Sequence, residues 1–152
     1  MGLDATVYCN CFQTKRMNVL PPKDWVIEVL NDGSLNCDNP FFIPWLDDEM
    51  CNHKYGVACE HYLGNITLIS NLRNQVNKYQ ENIPIIWNEI IYSGTHCGSH
   101  MNVSRISDLH KEVIFLQKLS FQEQDKERMD NFLQQLLELI EASNKYNHPI
   151  SF

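Results

Sequence analysis

The stretch Ala5-Thr6-Val7-Tyr8-Cys9-Asn10-Cys11-Phe12 alternates in character. On an extended chain successive side chains point to opposite sides, so Val7, Cys9 and Cys11 share one face and Thr6, Tyr8, Asn10 and Phe12 the other. Its β-branched and aromatic residues suit a pleated, half-buried surface, and 5–12 is expected to be a strand near a sheet interior. Pro21-Pro22 then interrupts the chain. Trp25 to Leu30 reads as a second strand, closing into a hairpin with Ser34 to Cys37 across the turn Asn31-Asp32-Gly33. From Asp38 to Val57, prolines, aromatics and the acidic run Asp47-Asp48-Glu49 break any period, which predicts a long surface excursion with a helical turn near Trp45 to Cys51.

Beyond this segment the period changes. Asn65 can cap a helix whose apolar positions Ile69, Leu72, Val76 and Tyr79 fall at helical spacing. Pro84 to Tyr92 is an Ile-rich apolar run whose β-branched content favours a buried strand, with a short helix as the alternative. Ile106, Leu109, Val113 and Leu116 line a second helix. A third opens with Ser120 and Glu123 at capping-box spacing and carries the stripe Met129, Phe132, Leu133, Leu136, Leu137 and Ile140. The apolar tail His148 to Phe152 is expected to add a short edge strand. Together these elements predict one α+β domain over 1–152, a small mixed or antiparallel sheet packed against about three helices on one side.

Composition agrees with a single core: 152 residues, 43% hydrophobic and 11% aromatic. The formal charge of -7 and the scattered basic residues argue against nucleic acid and for steering of a basic protein partner. No stretch has the length and apolarity of a membrane span, and 1–6 lacks the basic start and apolar run of a signal peptide, so a cytoplasmic protein without membrane association is expected. Six cysteines in that setting are expected to be thiols or metal ligands rather than disulfides.

Four groups carry this chemistry: Cys9 with Cys11, Cys51 with His53, Cys59 with His61, and His96-Cys97 with His100. Residues two apart on a strand face the same way and can share an ion. The zinc knuckle of two cysteines separated by two residues is absent. The metal-ligand candidates are His61, His96, Cys97 and His100, with Cys9 and Cys11 as a soft alternative; zinc would suit such donors, although no cofactor is the leading expectation. Cys97, in Gly94-Thr95-His96-Cys97-Gly98, is the one candidate nucleophile, needing His61 or His100 to favour its thiolate. Trp45, Asp47, Asp48 and Glu49 form the candidate partner surface, an apolar anchor with a charged rim.

The segments Met1-Gly2-Leu3-Asp4-Ala5-Thr6-Val7-Tyr8-Cys9-Asn10-Cys11, Leu63-Gly64-Asn65-Ile66, Ser93-Gly94-Thr95-His96-Cys97-Gly98 and Pro149-Ile150-Ser151-Phe152 together resemble a family of small bacterial proteins of unassigned activity. That family is similar in size and style to the immunity proteins of polymorphic toxin systems. The resemblance implies a noncatalytic bacterial protein, an immunity-type inhibitor holding a basic partner, such as a toxin, on an acidic surface. The competing expectation is a metal-binding protein, or a thiol- or metal-dependent enzyme, built on the Cys/His groups.

Overall fold

The computed structural model describes residues 2–91 and 99–152. In chain order it contains β1 (Gly2–Tyr8), β2 (Glu28–Val29), β3 (Leu35–Asn36), a helical turn α1 (Phe42–Pro44) running into a π-helical turn Trp45–Glu49, β4 (Val57–Asn65), α2 (Ile66–Val76), a second π-helical turn Ile86–Ile90, β5 (His100–Met101), α3 (Val103–Gln117), α4 (Glu123–Tyr146) and β6 (Ile150–Ser151). The result is an α+β fold. Four strands form an antiparallel sheet in the order β4-β1-β6-β5, and β2 and β3 form a separate hairpin.

The alternation read in 5–12 holds, with an earlier end to the strand. Leu3, Ala5, Val7, Cys9 and Cys11 are all buried, but ladder pairing stops at Tyr8 opposite Val57. Beyond it the Cys9 amide donates to the Gly56 carbonyl (2.8 Å), and the chain turns as Arg16 N–H donates to Cys11 O (2.8 Å). The inward side chains therefore pass from one core to another. Leu3, Ala5 and Val7 meet the apolar stripes of α2, α3 and α4 in the main core. Cys9 and Cys11 meet Phe42, Trp45, Leu46, Met50 and Cys51 in a second, smaller core. The segment expected to be a surface excursion thus encloses apolar residues of its own. Trp25 stands edge-on to Trp45 at 5.9 Å between centroids, an arrangement that aromatic quadrupoles favour.

Helix α2 starts as expected: Asn65 Oδ1 accepts the Leu68 amide (2.9 Å). Three other expectations change. Residues 84–90 are helical, not a strand. Proline suits the first turn of a helix, where its missing N–H is not needed. Glu112 of α3 completes that turn, its carboxylate accepting Ile85 N–H (2.9 Å) and Ile86 N–H (2.8 Å). Ser120 does not cap α4; Gln122 occupies the cap position without a side-chain bond. The tail strand β6 lies inside the sheet rather than at its edge, Thr6 opposite Ser151 on one side and Met101 opposite Ile150 on the other.

Candidate metal centre

Four donor side chains converge where β1 ends. Cys9 and Cys11 come from the chain leaving the sheet, and Cys51 and His53 from the turn that follows Trp45–Glu49. Their donor atoms all lie within 4.8 Å of one another. Cys9 Sγ is 3.7 Å from Cys51 Sγ, His53 Nδ1 is 3.4 Å from Cys51 Sγ, and the same nitrogen is 3.7 Å from Cys11 Sγ. The three cysteines are buried and His53 partly so.

Local backbone bonding explains the convergence. The π-helical turn closes with Met50 N–H donating to Trp45 O (2.8 Å), and Met50 O accepts Asn18 N–H (2.7 Å), which ties the Cys51 loop to the segment after Cys11. Gly56 N–H donates to His53 O (3.0 Å), and Gly56 O holds Cys9. Tyr55 and Gly56 both adopt positive φ, so the chain reverses sharply between the ligand loop and β4.

Burial favours the neutral forms of Cys9, Cys51 and His53. Burial raises the Cys9 thiol to about 12, against a lowering contribution from the Cys11 amide. Burial also raises Cys51, and it lowers His53, whose ring feels the positive charges of Lys145 and Arg16. With Nδ1 turned to the sulfurs, His53 Nε2 meets the Tyr146 hydroxyl at 3.0 Å.

Two of the six metal candidates, Cys9 and Cys11, belong to this group. His61 does not: it sits on β4 with Nε2 2.8 Å from Glu138 Oε2 of α4, an ion-pair contact. His100 is exposed on β5, opposite Ser151. His96 and Cys97, the latter also the candidate nucleophile, lie outside the described residues. The pair Cys51 and His53 was visible as a pair, but nothing in the sequence joins it to Cys9 and Cys11 across 42 positions. Of the candidate partner surface, Trp45 is buried, its indole N–H donating to Val19 O (3.1 Å); Asp48 and Glu49 are exposed and Asp47 partly so.

No helix among the described residues is long and apolar enough to cross a membrane. No known protein family, curated protein or solved structure matches the chain.

Proposed function

We propose that this protein binds zinc through Cys9, Cys11, Cys51 and His53, as a structural centre that builds the lobe between Cys9 and Gly56. The observation that carries this reading is the spacing of the donors. Zinc–sulfur and zinc–nitrogen bonds of about 2.0–2.3 Å meeting at tetrahedral angles put neighbouring donors roughly 3.5–3.8 Å apart. Three of the six donor–donor distances, at 3.4 to 3.7 Å, match that edge length, and all six fall within 4.8 Å.

Three sulfurs and one imidazole nitrogen make a full tetrahedral set for zinc, and four protein ligands leave no open position, which favours a structural role over a catalytic one. Three thiolates and a divalent ion carry one net negative charge. Lys145 and Arg16, already acting on His53, are placed to offset it. Tyr146 supplies the outer-shell partner that fixes the ring of a ligating histidine.

Elemental analysis of protein purified without chelator should find one zinc per chain. Cobalt substituted for that zinc should give thiolate charge-transfer and tetrahedral d–d bands, a readout in the native sequence that does not depend on variants folding. Cys9→Ser and His53→Ala should lower occupancy. Metal-free protein that gains no cobalt spectrum would overturn the assignment.

A further inference from the structure

A second feature of the same lobe points outward. The hairpin β2–β3 is paired over only Glu28 with Asn36 and Val29 with Leu35, and its outer edges have no ladder partner among the described residues. Beside it, between Asp24–Glu28 and Asn36–Asn39, lies a cleft of about 350 Å³. Trp25 and Val26 form its apolar wall, and Asp24, Glu28 and Asp38 bring three carboxylates to it. Val26 is 77% exposed, whereas the Trp25 ring is fixed against Phe42 and Trp45.

No lysine or arginine lines the cleft, and none of the ion pairs among the described residues involves its carboxylates. The surrounding lobe is also one-sided in charge: between Met17 and His53 seven carboxylates face a single lysine, Lys23. Further apolar side chains, Leu20 and Phe41, stand exposed on the same lobe at 72% and 70%. A covering surface must therefore be apolar and cationic together. Nucleic acid and anionic membranes carry the wrong sign, and a second copy of this chain would bring its own charge of -7.

We propose that this cleft docks an extended basic segment of a partner protein. Its arginine or lysine side chains would lie among Asp24, Glu28 and Asp38, its apolar side chains would cover Trp25 and Val26, and its backbone would run along the open hairpin edge. This surface differs from the one expected around Asp47 to Glu49; it lies on the lobe that the proposed zinc centre would brace, and its test reads peptide binding rather than metal.

The probe is a fluorescent peptide of ordinary strand length alternating Arg and Val, titrated by anisotropy at low salt and mapped by amide chemical shifts. Shifts should concentrate at 24–39. The combined variant Asp24→Asn, Glu28→Gln, Asp38→Asn should weaken binding roughly tenfold or more, and Val26→Ser several-fold. The matched neutralisation Glu123→Gln, Asp125→Asn, Glu127→Gln on α4 should change it less than about twofold, the residue of long-range charge alone. The altered side chains in the cleft are exposed, so zinc content and thermal unfolding should remain native.

Equal losses from the two triple variants would overturn the proposal, as would equal binding of an Arg–Ser peptide. Displacement of the peptide by millimolar calcium only when the cleft carboxylates are present would assign the cleft to an inorganic cation instead. Concentration-dependent dimerisation abolished by Val26→Ser would assign it to a second copy.

Discussion

His53 Nε2 sits 3.0 Å from the hydroxyl of Tyr146, joining residues 93 positions apart. The Tyr146 carbonyl accepts the Asn10 side-chain amide (2.7 Å), so the end of α4 bonds to both segments that carry the four donors. Tyr146→Phe removes only the hydroxyl. Loss of an outer-shell partner typically weakens a metal site by roughly 10- to 100-fold, and chelator competition should read a decrease of that order with zinc still one per chain under saturating metal.

On the proposed zinc reading, binding must displace the proton of Cys9, a thiol that burial pushes up to about 12. Protons therefore compete strongly at neutral pH. Apparent affinity should rise with pH by about tenfold per unit for each thiol that must ionise, and acidification should release the ion. A pH series of the same competition measures it; a flat profile from pH 6 to 8 would contradict thiolate ligation.

Glu112 accepts two buried amides at the start of the Pro84 turn. Glu112→Ala leaves both donors unsatisfied and should destabilise the fold by roughly 2–4 kcal/mol, while Glu112→Gln, which keeps one acceptor, should be milder. Urea unfolding monitored by circular dichroism distinguishes the two. The effect should be independent of added zinc, because the turn belongs to the main core.

Gly33 occupies φ +88, and a Cβ there would come 2.5 Å from Nδ1 of His148. Gly33→Ala therefore combines backbone strain with a clash and should lower stability by about 1–3 kcal/mol. The imidazole beneath it is held below its ordinary value, chiefly by burial and against the charge of Asp32. A lowered folded pKa gives stability that is complete above pH 6.5 and is lost as pH falls below it, because the unfolded chain takes up the proton first. Thermal unfolding at pH 7.5 and 5.5 should show this loss in the native protein and a smaller one in His148→Gln.

The elements that rest on a local period were legible in the sequence. The alternation before Phe12 gave the correct inward face, the turn Asn31-Asp32-Gly33 gave the hairpin, and the stripe from Met129 to Ile140 gave α4, with Leu139 buried where Leu137 had been expected. Failures occurred where a distant residue decides the outcome. Pro84 to Ile91 has strand-like composition, but Glu112, more than twenty residues away, supplies the acceptors that let it coil. The tail is apolar in any sheet position, and only its pairing with both β1 and β5 places it inside. The donor set divides in the same way: Cys9 and Cys11 share a face by strand period, but their meeting with Cys51 and His53 depends on how the intervening lobe folds back.

Helix α4 runs from Met129 in the main core to Tyr146, whose ring packs against both cores. No linker separates the two apolar clusters; one continuous helix and one continuous strand path are common to both. Melting of the smaller cluster would strip contacts from the end of α4 that also supports β1. Chelation should therefore lower the temperature of a single cooperative transition, and the protein should behave thermodynamically as one unit in which occupancy of the Cys/His tetrad is felt at the far end of the sheet.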